Sequence, residues 1–474
     1  MNTNTYNKFA RLMQACLLLL LLTSCEGNSR GEIRVPQVGE EVFILPGVKV
    51  DQTNIFFDDF SDGVAFDDWN IGAGAWGNGN GGVIPENVFY TDAGHLLLRG
   101  HGQYYTRGEV RGLGSLKDGR NTGAALISKF ATGPGHYEVK MKPLPRQGAC
   151  TAFWTYMNRL VDGQAERDNH EIDIELPGGN RRGVISFKNI LNTNYVTESL
   201  MISSDISVFE ATAGKTAYLN DNQFHTFAFD WYTDPEMVVY SLDGYVTAVH
   251  DSFVPKVSGR LWLGNWFPNN AGFVGLSNFE TDYMVVDWVQ YLPFLNQPYE
   301  EYEAMIELGV ANASQYPRQP IVMPKVNLIA NGDFEYFTTH GTQENYGWTF
   351  ASVNQIDSEE NCYLENHPTE EHGVVAVLKN GGFLHTIIDS VYEQQEFTLT
   401  FQAKCSGTGQ MTVKYQDATG TSLDKISIAI SGDQWQNYSL DFTAPTDCNS
   451  LQILATMLQA NQTLQIDNVE LTRR

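Results

Sequence analysis

The sequence predicts an all-β protein in which a β-sandwich or jelly roll is followed by a second, smaller β-sandwich. Short segments that alternate apolar and polar residues run from Ile55 to Phe294, separated by Gly, Pro, Asn and Asp. The alternation returns at Asn327 and continues to the C-terminus. Such segments suit strands with one buried face, because successive side chains of a strand point to opposite faces. Aromatic residues make up 12% of the chain and charged residues only 18%, a balance typical of β-rich proteins.

The individual strands are predicted where the alternation is clearest. In the first unit they cover residues 95–99, 136–141, 224–231 and 284–291, and in the second unit 397–403, 411–415, 438–442 and 464–471. Asp243-Gly244 joins two apolar runs and predicts a two-residue hairpin turn. The two domains are expected over residues 51–295 and 324–474.

The segment between the two domains, residues 296–323, is expected to be a linker that contains one short helix. Pro298 stands near the start of this helix, which would end at Leu308, and Gly309 follows it. Pro317 and Pro320 then interrupt any regular element.

The N-terminal 25 residues are predicted to be a targeting segment. Lys8 and Arg11 precede an apolar run from Ala15 to Leu22 that is too short to span a bilayer. Leu22-Thr23-Ser24-Cys25 resembles the lipobox of bacterial lipoproteins, in which Cys25 would be acylated; an ordinary signal peptide with a chance cysteine is the alternative. Residues 26–50 are then a tether. The chain is expected to be a monomer, lipid-anchored to the bacterial cell envelope, in the outer membrane of a Gram-negative cell, facing the periplasm or the outside.

The net charge and the cysteines limit which ligands and which covalent or metal cross-links the chain is expected to have. A formal net charge of -26 argues against nucleic acid and is compatible with a neutral ligand. Cys150 is alone in the first domain, whereas Cys362, Cys405 and Cys448 permit one disulfide in the second, with one thiol left over. The sequence contains no CxxC pair and no zinc-type spacing, and no cofactor is expected for catalysis.

Three acids on one strand carry the functional prediction. Glu171, Asp173 and Glu175 alternate with Ile172 and Ile174, so the three carboxylates share one face of a strand. Like charges this close raise at least one pKa, and a paired ionised and protonated carboxyl group is what glycosidic cleavage requires. The Cα atoms of Glu171 and Glu175 would lie about 13 Å apart on a flat strand. The alternative is the polar face of an ordinary exposed strand.

The same residues resemble a known family. Glu171-Ile-Asp-Ile-Glu175 is similar to the E-x-D-x-E signature of glycoside hydrolase family 16, in the form without a β-bulge. Residues 135–143, 224–231, 243–244 and 286–289 resemble further strands and a turn of that family, in the same order. The resemblance covers about residues 55–294 and implies a concanavalin-like β-jelly-roll sandwich with an endo-acting, retaining mechanism. It makes Glu171 the nucleophile, Asp173 its helper and Glu175 the acid/base.

The substrate-binding candidates are mostly aromatic, because sugars present flat C–H faces to rings. They are Trp154, Tyr156, His170, Trp266, Trp76 in the glycine-rich loop 72–82, and Asn87. For each aromatic residue a place in the core is the alternative. His170 departs from the acid that often precedes the nucleophile in mixed-linkage glucanases, which leaves the substrate open. A β-1,3-1,4-glucan or related β-glucan is expected; a β-galactan or host glycan, transglycosylation, and a non-catalytic glycan-binding lipoprotein are the alternatives.

The resemblance also suggests structural calcium. Asp287 is a candidate ligand together with backbone carbonyls near Asp59, and a buried capping Asp is the alternative. Residues 327–335, 347–348 and 466–471 resemble the ends of carbohydrate-binding modules of families 4 and 9, in which Glu335 and Asp467 would bind Ca²⁺. A plain spacer sandwich is the alternative for this second domain.

Overall fold

The structure is a computed structural model. It describes residues 34–75, 81–105, 112–113, 118–160, 167–178, 188–195, 198–205, 210, 212, 219, 221–306, 309–311, 319–335, 347–352, 361–366, 372–389 and 391–474. The targeting segment, Cys25 and Trp76 lie outside these ranges. Within them, the protein has no helix that is both long and apolar enough to cross a bilayer.

The regular secondary structure of the described chain is almost entirely β-strand. The strands of the first part are β1 (Lys49–Val50), β2 (Phe56–Asp58), β3 (Trp69–Ala73), β4 (Val88–Tyr90), β5 (Leu96–His101), β6 (Ala124–Thr132), β7 (Gly135–Lys142), β8 (Cys150–Leu160), β9 (Arg167–Pro177), β10 (Lys188–Tyr195), β11 (Glu198–Asp205), β12 (His225–Thr233), β13 (Glu236–Leu242), β14 (Tyr245–His250), β15 (Gly259–Trp266) and β16 (Thr281–Leu295). The remaining strands are β17 (Gly309–Val310), β18 (Thr349–Ser352), β19 (Cys362–Asn366), β20 (Val374–Lys379), β21 (Gly382–Asp389), β22 (Glu396–Gln416), β23 (Ser422–Thr443), β24 (Ser450–Met457) and β25 (Thr463–Arg473). Helical segments with described bounds are a 3₁₀ turn at Pro85–Asn87 and one α-turn, α1, at Ala271–Val274.

The first domain is a sandwich of two antiparallel sheets. One has the order β14-β13-β12-β7-β16-β5-β4, with β1 and β2 also paired to β16, and the other has the order β11-β10-β9-β8-β15-β6-β3-β17. The inner faces of both sheets meet in one apolar core; Phe153 of β8 lies 5.6 Å from Phe229 of β12, measured between ring centroids. The predicted jelly-roll sandwich is confirmed.

The second domain is a smaller antiparallel sandwich built around the long strand β22. Its order is β18-β21-β24-β22-β25-β20-β19, with β23 also paired to β22. Register shifts between Ala403 and Gly409 bend β22, so that its two halves pair with β25 and β24 respectively. The predicted second sandwich is confirmed. Its three cysteines, like Cys150 of the first domain, are buried free thiols.

The helix expected from Pro298 to Leu308 is absent from the described residues 298–306, and this prediction was wrong. The segment is extended because tertiary hydrogen bonds take its backbone groups. Glu300 N donates to Lys256 O at 2.8 Å, and Ser258 N donates to Glu300 O at 2.9 Å. Local helix signals are weak compared with such partners.

The tether expected over residues 26–50 is also corrected for residues 34–50, which pack against the first domain. Gly39 N donates to Val246 O at 2.8 Å, and β1 pairs with the end of β16. Leu45 is 1% exposed in a cluster with Tyr232 and Val239. The apolar run from Val42 to Leu45 explains this docking, because its burial removes apolar surface from water.

Buried ion pairs join the two domains. Arg146 of the first domain is 3% exposed, donates to Leu328 O of the second at 3.2 Å, and lies 3.7 Å from Asp282. Asp282 is bound in turn by Arg473 of the second domain at 3.2 Å. Burial lowers the pKa of Arg146 to about 10, although Asp282 acts in the opposite direction. One aspartate therefore pairs with a guanidinium from each domain, and the charge of Asp389 also stabilises the charged form of Arg146.

We expect Asp282→Ala to destabilise the protein by about 3–5 kcal/mol, because it removes the carboxylate that pairs with the buried Arg146 and with Arg473. Urea denaturation of the full chain measures the loss. The control is Asp441→Ala, which removes an exposed pair with Arg474 and should cost no more than about 1 kcal/mol. Equal losses in the two variants would contradict a structural role for the buried pair.

Candidate active site

Strand β9 brings the three predicted acids to one face of its sheet. Ile172 and Ile174 are fully buried in the core between the sheets, so Glu171, Asp173 and Glu175 point to the outer side. Strand β8 pairs beside them. Its register sets Tyr156 opposite Glu171, Trp154 opposite Asp173 and Ala152 opposite Glu175. These residues, with Trp262 of β15 and Ile127 of β6, are called the acid face below.

Asp173 lies at the centre of the acid face and is 6% exposed. Burial raises the pKa of Asp173 well above its usual 3.8, and the charges of Glu171 and Glu175 and a hydrogen bond to Glu171 act in the same direction. The environment of Asp173 therefore favours its protonated form, which can donate a hydrogen bond to Glu171. A raised pKa for one of the three acids is what their close spacing on one strand face predicts.

Glu171 and Glu175 are each half-buried, which leaves part of each carboxyl group accessible. Asn169 Nδ2 donates to Glu171 Oε2 at 3.3 Å. The sequence interpretation missed Asn169, although its place two residues before Glu171 puts it on the same strand face. Next to Glu175, burial raises the pKa of the Cys150 thiol, and the charge of Glu175 adds to this effect. The thiol is therefore neutral.

An aromatic group continues the acid face away from β9. The rings of Trp154 and Trp262 stack with centroids 5.3 Å apart, and Tyr156 meets Trp262 edge-on at 5.9 Å. Both tryptophans are only 4% exposed, whereas Tyr156 is half-buried. Trp266 stands at the end of β15, on the same face and opposite Cys150, and is half-buried. The structure thus brings Trp154, Tyr156 and Trp266 together with the acids.

His170 lies on the opposite face from the acids, so the expectation that it contacts substrate there is corrected. It is 4% exposed; its Nε2 lies 3.0 Å from Asp168 Oδ1, and its Nδ1 accepts from Lys256 N at 3.4 Å. Burial lowers the pKa of His170, although Asp168 acts in the opposite direction. Because side chains alternate along β9, the same pattern that places Glu171, Asp173 and Glu175 on one face places His170 on the other.

Asn87 is fully buried, which argues against direct contact with a sugar. Its Nδ2 donates to Gly123 O at 3.1 Å, and its Oδ1 accepts from Arg99 Nε at 2.9 Å. Its role here is to hold the backbone near β6. Trp76, the remaining candidate, lies outside the described residues.

The calcium candidates bind protein donors instead. Asp287 Oδ2 lies 3.0 Å from the ammonium group of Lys140, which supplies the positive charge that a metal ion would bring. Asp287 therefore does not fit a calcium ligand. In the second domain, Glu335 accepts from Val374 N at 2.8 Å, and Asp467 pairs with His372 at 2.9 Å. Among the residues that the structure describes, no group of three or more His, Cys, Asp or Glu is arranged to hold a metal ion.

We expect Asp173→Asn to stabilise the protein at neutral pH. A carboxyl group whose pKa is raised on folding favours the unfolded state increasingly as the pH rises above its usual pKa, by about 1.4 kcal/mol per unit of difference. Asparagine carries no such proton, so the gain in free energy of unfolding should be present at about pH 7 and vanish near about pH 4. Urea denaturation across this range measures it. The exposed Asp433→Asn is the control, and equal pH profiles for the wild type and Asp173→Asn would contradict the protonated state.

Comparison with known proteins places the acid face inside a recognised domain. Residues 97–282 match the family model described as "Glycosyl hydrolases family 16". A beta-glucanase of Paenibacillus macerans is 28% identical over 226 residues, 45% of this chain and 80% of that protein. A beta-glucanase of Paenibacillus polymyxa is 29% identical over 163 residues, 34% of this chain and 59% of that protein. A beta-glucanase of Bacillus licheniformis is 30% identical over 140 residues, 30% of this chain and 49% of that protein.

Solved structures of similar description cover about half of the chain. The Bacillus licheniformis beta-glucanase structure is 21% identical, with a TM-score of 0.38, and covers 51% of this chain and 99% of that chain. The catalytic domain of an endo-1,3-beta-glucanase (laminarinase) from Thermotoga petrophila RKU-1 is 18% identical, with a TM-score of 0.40, and covers 52% of this chain and 99% of that chain. The chain is a glycoside hydrolase, and the residues that match the family 16 model, 97–282, contain the acids on β9.

Proposed function

We propose that this protein is an endo-acting, retaining hydrolase of a β-linked glucan, with a β-1,3-1,4-glucan or a related β-glucan as its substrate. Glu171 is the nucleophile, Asp173 its helper and Glu175 the acid/base. The observation that carries the proposal is the shared face of the three carboxyl groups, with a buried Asp173 of raised pKa between two half-buried glutamates. The beta-glucanase relatives support the choice of glucan.

The reaction proceeds in two displacements. In the first, Glu171 attacks the anomeric carbon while Glu175 gives its proton to the departing glycosidic oxygen, so that a glycosyl ester forms and the sugar–oxygen bond breaks. In the second, Glu175 takes a proton from water, whose oxygen attacks the same carbon and releases Glu171. Two inversions leave the product in the β configuration.

Asp173 and Asn169 position the nucleophile in this scheme. Asn169 donates a hydrogen bond to Glu171, and the raised pKa of Asp173 favours the protonated form that can donate a second one. The two donors orient the carboxylate towards the sugar and stabilise its charge before attack. Tyr156 and Trp266, the half-buried rings of the acid face, provide surfaces on which sugar rings stack.

The proposal extends to the rest of the chain. Cys25 would carry a lipid that holds the enzyme on the cell envelope, supported by the charged and apolar residues before it. The second domain would bind glycan as a carbohydrate-binding module, supported by its sandwich fold and by the residues at its two ends. Membrane fractionation of cells that produce the chain, and glycan binding by the Glu171→Gln protein, test these two parts.

A panel of purified glycans tests the activity. We expect the full chain to release reducing ends from β-1,3-1,4-glucan, with new reducing ends in the β configuration by NMR, and Glu171→Gln to release none. Release of reducing ends only from a β-galactan or a host glycan would make that glycan the substrate in place of β-glucan. Longer products formed with an added acceptor would indicate transglycosylation. Binding without any cleavage, or products of α configuration, would contradict the proposal.

Azide distinguishes the roles of the two glutamates. With an aryl β-glucoside, Glu171→Ala should lose nearly all activity and regain turnover with azide as an α-glycosyl azide, since azide attacks in place of the nucleophile. Glu175→Ala should lose about 10²–10⁴-fold on unactivated glucan, the usual contribution of a general acid, and give a β-glycosyl azide. The reverse pattern of azide products would exchange the two assignments.

A further inference from the structure

Residues 299–306, called the strap below, run from the start of β15 onto the acid face. After Glu300, which pairs with the chain just before β15, Tyr302 N donates to Ser258 Oγ at 2.7 Å, and Ser258 Oγ donates to Tyr302 O at 2.9 Å. Arg260 Nε then donates to Ala304 O at 2.7 Å. Successive contacts thus fix the backbone of the strap along the start of β15.

Ile306 of the strap contacts the aromatic group of the acid face. It packs against the apolar cluster formed by Ile127, Ala152, Trp154 and Trp262. All four residues of this cluster lie on the same face as the acids, and the two tryptophans in it are 4% exposed. Tryptophan rings that bind sugar by stacking would expose a larger fraction of their surface to solvent. The strap therefore occupies part of the space that the sequence assigns to substrate.

The sheet register shows where this space lies. Asp173, Trp154, Trp262 and Ile127 are direct neighbours across β9, β8, β15 and β6, and so form one line at right angles to the strands. A glycan whose linkage lies between Glu171 and Glu175 crosses β9 along this line. Neighbouring strands are about 4.8 Å apart, so Trp262 lies about 10 Å from the acids. A chain that extends in this direction meets the strap after a short distance.

The strap is also held beyond Ile306. Gly309 and Val310 form β17, which pairs with Ala73 and Gly72 of β3 at the edge of the same sheet. Arg260, whose Nη1 also donates to Ser128 O at 3.0 Å, is 7% exposed and ties the middle of the strap to β6. The strap is therefore anchored on both sides of its contact with the tryptophans.

We propose that the strap determines product length by limiting the number of sugar units that bind on the β15–β6 side of the acids. The inference rests on the proposed function and deepens it. Few sugar units of a β-glucan bind past Trp154 in this direction, and a longer glucan leaves the groove there, so short oligosaccharides of narrow size are the main products from that side. Ile306 is the specificity-determining contact, and Ser258 is a positioning residue that holds the strap in place.

The test compares two variants that loosen the strap at different points, Ile306→Ser and Ser258→Ala, with the control Met305→Ala, whose side chain is 66% exposed. The probe is β-1,3-1,4-glucan, or the glycan of the panel that is cleaved, and products are separated by anion-exchange chromatography. We expect both variants to shift the main products to longer chains by at least one sugar unit. The control should match the wild type.

Binding provides a readout that does not depend on turnover. In the Glu171→Gln background, affinity for a ladder of β-glucan oligosaccharides should stop rising at a shorter length with the native strap than with Ile306→Ser. Acrylamide should also quench tryptophan fluorescence more strongly in Ile306→Ser than in Met305→Ala. If Ile306→Ser fails to fold, Ser258→Ala carries the same comparison.

The outcomes separate the strap from the proposed function. Equal product lengths and equal length dependence of binding in the wild type and both strap variants, with cleavage intact, would overturn the strap proposal alone. Failure of the wild type to cleave and of Glu171→Gln to bind any glycan would overturn the proposed function and the strap proposal with it.

Discussion

The placement of Glu171, Asp173 and Glu175 depends on the burial of Ile172 and Ile174 between the two sheets. These isoleucines fix which face of β9 is internal, and a shift of one residue in register would turn every acid inward. Pairing with β8 on one side and β10 on the other holds the strand at the middle of its sheet. The acids are thus positioned by apolar packing, not by contacts among themselves, which are electrostatically unfavourable.

Protonation of Asp173 would relieve the unfavourable charge. Asp173 lies at the centre of the row and is the most deeply buried of the three acids, and its raised pKa favours the neutral form between two half-buried glutamates. The same arrangement that strains the fold at neutral pH creates a nucleophile with fixed hydrogen-bond donors, Asp173 and Asn169. Stability is reduced locally at the point where chemistry needs preorganised groups.

Much of this arrangement could be predicted from the sequence, because period-two alternation determines which residues share a strand face. The acids and the aromatic residues Trp154, Tyr156 and Trp266 follow from it. The same rule, applied to position 170, would have placed the histidine on the opposite face. The paths of residues 34–50 and 299–306 could not be predicted, since their backbone partners lie far away in sequence. The sequence suggests Asn87 as a substrate contact, and only the fold reveals that it donates to Gly123 O and accepts from Arg99.

Covalent trapping tests the central claim most directly, because it reports which carboxylate attacks the sugar. The full chain would be incubated with an activated 2-deoxy-2-fluoro β-glucoside or its oligosaccharide, digested, and sequenced by mass spectrometry. We expect a single glycosyl ester on Glu171, released with time when an acceptor sugar is added. A label on Glu175 or on another residue, or cleavage of glucan without any label, would contradict the assignment.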